Sequence, residues 1–456
     1  MIGLNGTLSI AAEALGADTA GLEVANNNIA NANTPGYSRQ IVSLSSAASV
    51  QNGTTVDEGV SYEGFSSVRD AVLSLAVNDA TSSQGSLTAQ STLLTQVNAA
   101  FSSTTSGVGA SLSTLFSDLS GLSTDPSDSS ARQTVLQDAN QLVSQFHQAA
   151  SGLSSAASAA NQQVSACVSE INGLTRQIAD LNGQLASSAD GSQDGGSLQD
   201  QRDALTTRLA QLVGVASIQT QGSPTLTAAN GSPLVIGSTS YPLQVTTGSD
   251  GNVHVQDAEG NDITGALSGG TLGGVITVRD STLPGISAQL NSLASQFATA
   301  MNNAQASGYD LNGTAGSAMF SLPAAGSAAS GISVALTNAS AIAISSDGST
   351  DSSGNLQAFL SVQSDALPNG ATPAEGYANL VGDIGSAGSQ VSNQLTAATA
   401  SLQQLTTQQD SESGVSIDEE TTNLIRYQQA YAAAAKVIST VNDLYTTLMN
   451  INLGGG

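Results

Sequence analysis

Acid–base, nucleophilic or metal chemistry in this chain would have to be built from two histidines, one cysteine and one lysine, Lys436. His147 adjoins the apolar Phe146, and His254 lies between Val253 and Val255. With both histidines on core-flanking positions and far apart, a His/Cys zinc site is excluded. Cys167 occupies a helical seam position, where a thiol acts as a small apolar group, and a single cysteine forms no internal disulfide. Lys436 sits in an alanine-rich run outside any Gly-Lys-Ser/Thr phosphate loop. Gly107-Val108-Gly109 lacks the third glycine of a dinucleotide loop, and no Gly-x-Ser-x-Gly elbow is present. Asp310-Leu311-Asn312-Gly313 resembles half of a calcium loop, but the later carboxylates are missing. Asp418, Glu419 and Glu420 precede a helical heptad, where the helix dipole favours acids. The reading is no enzyme, no metal and no cofactor.

The elements that would position any function are helical at both ends. Leu8, Leu15, Leu22 and Ile29 recur every seventh residue, beside a second seam of Leu4, Ala11, Asp18 and Ala25. Near the C-terminus, Leu424, Tyr431, Ile438 and Tyr445 alternate with Tyr427, Ala434, Val441 and Leu448, ahead of the Gly454–Gly456 tail. Neither helix buries its stripe alone, so the two are expected to pair. Between them an unbroken heptad from Leu136 to Leu185 predicts a helical spine over 132–185, about 75 Å long at about 1.5 Å per residue. Asp125-Pro126-Ser127-Asp128 supplies its turn and cap. Further helices are expected at 68–103, 198–213, 283–306, 356–367 and 374–411.

From 216 to 280 the apolar period falls to two, in short runs around Ile218-Gln219-Thr220, Leu243-Val245, Val253-Val255 and Val275-Val278. Asn230-Gly231, Asp250-Gly251 and Gly260-Asn261 punctuate them as turns, which predicts a small outer antiparallel β-domain. Residues 314–350, around Ile332-Leu336, read as a reduced β/loop appendage. The fold class is mainly α with a β-rich insertion: terminal helices paired as an inner coiled coil, a long helical-bundle trunk and the small β-domain. The expected boundaries are 1–33 plus 418–456 for the inner domain, and 34–215, 281–313 and 351–417 for the trunk.

Composition bounds the partners. The 456 residues include 35 acidic and 9 basic side chains, for a net charge of −26, so phosphate and anionic lipid would be repelled and neither nucleic acid nor membrane is an expected partner. Only 10% of residues are charged, aromatics are 3% and tryptophan is absent, which suits thin helices better than one thick core. No apolar run approaches the ~18 residues of a membrane span. The first residues also lack the basic and apolar regions of a cleavable secretory signal.

One segment is more particular than a helix end requires: Ala25-Asn26-Asn27-Asn28-Ile29-Ala30-Asn31-Ala32-Asn33-Thr34-Pro35-Gly36-Tyr37-Ser38-Arg39-Gln40. Asparagines compete with the helix backbone, Pro35 disfavours helix at Thr34, and Gly36 permits a turn. This segment resembles the N-terminal signature of the bacterial flagellar axial proteins, the rod, hook and hook-associated subunits. Ser413-Gly414-Val415-Ser416-Ile417-Asp418-Glu419-Glu420 and Asn423-Leu424-Ile425-Arg426-Tyr427-Gln428-Gln429-Ala430-Tyr431 resemble their C-terminal helix. Three interior stretches point to the hook-associated branch at the hook–filament junction: Asp125-Pro126 with Ala131-Arg132-Gln133, Asp200-Gln201-Arg202-Asp203 with Leu212-Val213-Gly214-Val215, and Gly270-Thr271-Leu272-Gly273-Gly274-Val275-Ile276.

The resemblance implies a structural subunit exported unfolded by the flagellar type III system, without signal cleavage, and assembled outside the cell at the hook tip. Its implied partners are copies of itself in a ring, the hook protein, a second junction protein on the filament side, and a dedicated export chaperone on the C-terminal helix. The implied functional residues are interfacial: Asn27, Asn28, Asn31, Gly36, Tyr37 and Arg39 at the bend, and Leu8, Leu15, Leu22, Leu424, Tyr427, Tyr431, Ile438, Val441 and Leu448 along the inner seam. In the free subunit the terminal helices are expected to be largely disordered. A hook or distal-rod subunit would lack the long central heptad and Asp200–Asp203. A secreted adhesin or surface-layer protein would show β-repeats and no terminal heptads.

Overall fold

The computed structural model describes residues 4–34, 36–51, 54–101, 107–188, 193–218, 224–323 and 326–453. Pro35, Gln219, Thr220 and the Gly454–Gly456 tail, each named in the sequence reading, lie outside the described residues. Helix α1 (Leu4–Asn31) leads into an antiparallel ribbon, β1 (Gln40–Gln51) with β2 (Thr54–Ser67), which packs back along α1. The trunk begins with α2 (Ala71–Phe101), α3 (Val108–Gly121) and α4 (Ser129–Ser187). At 59 residues α4 is about 90 Å long. Its start is set by Asp128, whose carboxylate accepts from the Ser130 and Ala131 amides.

The heptad on α4 is buried nearly throughout; a third line (Val135, Leu142, Ala149, Ala156) is buried beside it in the first half, and another (Val168, Thr175, Asn182) in the second. The helix is therefore enclosed on several sides, a true spine. Helix α5 (Gln193–Leu212) lies against α2 and α4. The β-region follows as one four-stranded antiparallel sheet, β3 (Val215–Ile218), β4 (Thr225–Ala228), β5 (Pro233–Ile236) and β6 (Thr239–Ser240), and one hairpin, β7 (Gln244–Thr247) with β8 (Val253–Gln256). Gly231, Gly251 and Gly260 take φ of +88°, +80° and +88° at the three turns the sequence marked. Leu226, Leu234, Val235 and Val255 join the core that α4 shares, so the sheet's apolar side is continuous with the trunk.

One strand expected from the sequence is a helix. Val275-Ile276-Thr277 end α6 (Gly270–Thr277), which continues through a π-helical turn, Val278–Thr282, into α7 (Leu283–Ala306). A short, wholly buried apolar run fits either periodicity. Here glycine decides: a Cβ on Gly270 would lie 2.3 Å from the Val213 amide, and one on Gly274 2.2 Å from the Ser86 carbonyl oxygen. The helix thus packs backbone against backbone, through Gly274 on α2 and through Gly270 on the chain just past α5.

The chain then forms the small pair β9 (Phe320–Ser321) and β10 (Ser333–Val334) around α8 (Ala328–Gly331), and α9 (Leu356–Ser364). Ile332, Ile342 and Ile344 of this segment are buried in the trunk core. Helix α10 (Pro373–Ser413), opened by a Thr372/Glu375 capping box, returns along α2. Finally α11 (Ile417–Leu453) pairs with α1. The terminal helices are paired, and the trunk is helical around the β-rich excursion.

Amide side chains fasten the excursions to the spine. Asn172 of α4 donates to the Leu243 carbonyl at 2.7 Å and accepts its amide at 2.8 Å. Asn161 accepts from the Val253 amide, and Asn182 donates to the Gly237 carbonyl. On α7, Asn302 grips Phe320 in the same two-way manner, and Gln305 bridges Ala341 and Ala343. Asn172, Asn302 and Gln305 each satisfy both a backbone donor and an acceptor where irregular chain meets helix, a task a charged side chain of one sign cannot do. That is one use of so polar and weakly charged a composition.

Candidate functional site

Three chain crossings join the terminal pair and its ribbon to the trunk: residues 36–40, 67–70 and 413–417. They meet at one joint. Asn28, fully buried on the last turns of α1, organises it. Its Nδ2 donates to the Gln40 carbonyl at 2.9 Å, while its Oδ1 accepts from the Gln40 amide at 2.9 Å and from the Tyr37 hydroxyl at 2.8 Å. Asn31 donates to Asn27 Oδ1 at 2.6 Å and to the Asn27 carbonyl at 3.0 Å, closing the helix end. Gly36, at φ +80°, then turns the chain.

The crossings also bind one another. The Arg39 amide donates to the Ser413 carbonyl at 2.8 Å, and the Val68 amide donates to the Arg39 carbonyl at 2.8 Å. The Arg39 guanidinium reaches Glu419 in the first turn of α11 at 2.9 Å. Burial, with Asp200 and Glu420 nearby, pushes the Tyr37 phenol up to about 12, so it stays a neutral donor. The structure thus brings Asn27, Asn28, Asn31, Gly36, Tyr37 and Arg39 into one joint.

The inner-seam residues fall into two groups. Val441 is buried and Leu424, Tyr427 and Ile438 are half-buried against α1, whereas Tyr431 and Leu448 are exposed at 39% and 52%. On α1 the small positions Ala11, Ala17, Ala20, Gly21 and Ala25 are buried, and Leu8, Leu15 and Leu22 are half-buried. Gly21 has a specific reason to be small: a Cβ there would stand 2.5 Å from the Tyr427 ring. Ile425, Val437, Leu444 and Met449 of α11 are also exposed, as are Ile41, Leu44 and Tyr62 of the ribbon.

Sequence reasoning missed Arg69 and gave Asp200 no role. Arg69 donates to Asp200 at 2.5 Å and also contacts Asp203. No local pattern marks Arg69, because its partner Asp200 lies 131 residues further along the chain. The catalytic candidates have structural partners. His147 contacts the Ile332 carbonyl at 2.8 Å, Cys167 is buried with its thiol pushed up to about 11 by burial, and the Asp310 carboxylate accepts from the Asn312 and Thr314 amides of its own turn. Among the described residues, no group of three or more His, Cys, Asp or Glu could hold a metal ion.

A terminal helix pair on a helical trunk, with apolar residues left uncovered along the pair, defines a structural subunit made to pack against neighbours. Comparison with known proteins narrows this. Residues 94–320 match the family described as flagellar hook-associated protein FlgK helical domain. Residues 408–451 match flagellar basal body rod FlgEFG protein C-terminal, and residues 8–37 match flagella basal body rod protein. The chain is 28% identical over 553 residues to flagellar hook-associated protein 1 of Escherichia coli (strain K12), covering 98% of this chain and 100% of the relative. Against the protein of the same name from Bacillus subtilis (strain 168) the identity is 26% over 499 residues, with 98% of each covered. Both alignments are longer than this chain, so these relatives carry segments it lacks. The flagellar hook junction protein FlgK from Burkholderia pseudomallei has the same fold, with a TM-score of 0.68 at 21% identity over 74% of this chain and 100% of that one. The chain belongs to the flagellar axial proteins, in the hook-associated protein 1 family.

Proposed function

We infer that this chain is an extracellular structural subunit of the bacterial flagellum, at the junction between hook and filament. The observation that carries this reading is the uncovered apolar row on α11. Val437, Leu444 and Leu448 are 41%, 49% and 52% exposed, and Ile425 and Met449 of the same helix are exposed with them. Apolar area in such a row is stabilised by burial against neighbours, at roughly 25 cal/mol per Å² covered.

In this reading copies of the chain form a ring through their inner helix pairs, between the hook protein on one side and a second junction protein on the other. Asn27, Asn28, Asn31, Gly36, Tyr37 and Arg39 set the bend; the seam from Leu8 to Leu22 and from Leu424 to Leu448 holds the pair together, and its exposed members Tyr431 and Leu448, with Val437 and Leu444, carry the contacts to neighbours. Passage through the flagellar export channel is compatible with a chain whose single thiol forms no internal cross-link. The same apolar stripe gives an export chaperone a helix-in-groove target before secretion. Deletion of the gene tests the reading: hooks without attached filaments, and flagellin shed into the medium, are expected. Normal filaments in the deletion strain would overturn it.

A further inference from the structure

The Asp200-Gln201-Arg202-Asp203 stretch lies on α5, in the trunk, yet its carboxylates face the joint. Asp200 Oδ2 accepts from the Ser38 amide at 3.3 Å, on the first crossing, and Oδ1 accepts from Arg69 Nη2 at 2.5 Å, on the second. Asp203 takes the other Arg69 nitrogen, and the Gly196 carbonyl accepts from Arg69 Nη2 at 3.3 Å. Gly196 also marks a close approach, since a Cβ there would stand 2.5 Å from Gln40 Nε2. Asp200 is well buried, its side chain 12% exposed, and Arg69 is 20% exposed. A surface ion pair would contribute little, but this one is shielded and bridges two chain segments.

The joint has few alternatives to these contacts. Among the described residues, Arg39 Nε, Gln40 Oε1, Ser67 Oγ and Arg69 Nε are buried there without a hydrogen-bond partner. A cleft of about 290 Å³, lined by polar side chains such as Tyr37, Arg69, Arg202 and Asp410 and by apolar ones such as Leu75 and Val77, runs beside them.

We propose that the N-terminal half of α5 is a socket for the bend, and that Asp200 and Arg69 are positioning residues which hold residues 36–40 and 67–70 on the trunk whether or not α1 and α11 are paired. The socket presets the direction in which the helix pair leaves the trunk, so each subunit reaches the ring with its joint already formed. This deepens the junction reading, which supplies its purpose. The test below needs no flagellum, so the two can fail separately.

Hydrogen exchange by mass spectrometry on the free full-length chain is the test. In the unaltered chain, peptides covering 36–40 and 67–70 are protected. Asp200→Ala accelerates their exchange by about tenfold or more, as loss of a local closing contact should. Asp200→Asn gives a smaller acceleration, because its side-chain oxygen still accepts from the Ser38 amide. The exchanged pair Arg69→Asp with Asp200→Arg recovers part of the protection that either single change removes. Gly196→Ala, which leaves both charges in place, loosens the same peptides by displacing Gln40. Peptides from 135–178 of α4 keep their exchange rates in every variant, which separates a local joint from general destabilisation. Unprotected 36–40 and 67–70 in the unaltered chain, or wild-type exchange there in Asp200→Ala, would overturn the proposal.

Discussion

The Tyr37 hydroxyl donates to Asn28 Oδ1 at 2.8 Å across the bend that ends α1, and the same oxygen accepts the Gln40 amide at 2.9 Å. One buried side chain thus fixes both sides of the turn. Asn28→Ala leaves the Gln40 amide and carbonyl and the Tyr37 hydroxyl to find other partners, at about 1–3 kcal/mol for each buried group left unpaired. Asn28→Asp is no remedy, since a carboxylate cannot donate to the Gln40 carbonyl. Both variants should show earlier protease cleavage between 31 and 40 while the trunk's unfolding midpoint holds. Unchanged cleavage in Asn28→Ala would contradict this role.

Arg132, 1% exposed, donates to the Pro126 carbonyl at 2.6 Å and to the Ile342 carbonyl at 2.7 Å. It ties the start of the spine to the segment 314–350. Arg132→Met should lower the stability of the full chain by about 2–4 kcal/mol, measured by urea unfolding, because two buried carbonyls lose their donor. Arg132→Lys should rescue little, since an ammonium cannot reproduce the guanidinium fork.

Burial, with an adjacent Asp118, raises the Asp138 carboxyl from 3.8 to about 6. The folded chain therefore holds a proton that the unfolded chain has already released. Stability from this pair is greatest below about pH 4 and falls as pH rises through 6. Asp138→Asn should remove that slope and stabilise the α3–α4 contact above pH 7, by on the order of 1 kcal/mol after solvent screening is allowed for. Thermal melts from pH 5 to 8 measure it. A slope unchanged in the variant would count against a raised Asp138 carboxyl.

His254 bridges Asp262 at 2.7 Å and Asp250 at 3.2 Å, and these hydrogen bonds raise its pKa above 6.5. Hydrogen bonds lower both aspartates below 3.8. The histidine's contribution is full below pH 6.5 and is lost as pH rises through its folded value; that of the aspartates is full above pH 3.8 and is lost as pH falls through theirs. The β7–β8 hairpin should accordingly be tightest between pH 4 and 6.5. Amide exchange at 248–262, corrected for intrinsic rates, should be slower at pH 5.5 than at pH 8.5, and His254→Gln should erase the difference.

Much of this architecture is legible in the residues. The heptads from Leu136 to Leu185 and from Leu424 to Leu448 announce α4 and α11, because a helix must recover its stripe every seventh residue. The β1–β2 ribbon escaped notice: Ser43, Ser45, Ser46, Ala47 and Ala48 carry little strand propensity, and α1 supplies the order that local sequence does not. Helix α6 escaped for the opposite reason, since Gly270 and Gly274 look like helix breakers until the backbones they admit are seen. At the joint, the asparagines of the bend were readable but Arg69 was not, because the contact between Arg69 and Asp200 spans 131 residues of chain.

The inner helix pair is, in the proposed function, the assembly surface of a junction subunit. Complementation of the deletion strain with Ile438→Asp tests it most directly. Ile438 is half-buried on α11 against α1, and a carboxylate there opens the helix pair that presents the assembly surface without touching the trunk. The expected result is a chain with an unaltered trunk unfolding midpoint that leaves hooks bare and flagellin in the medium. Filaments attached at the frequency of the unaltered chain would contradict the account.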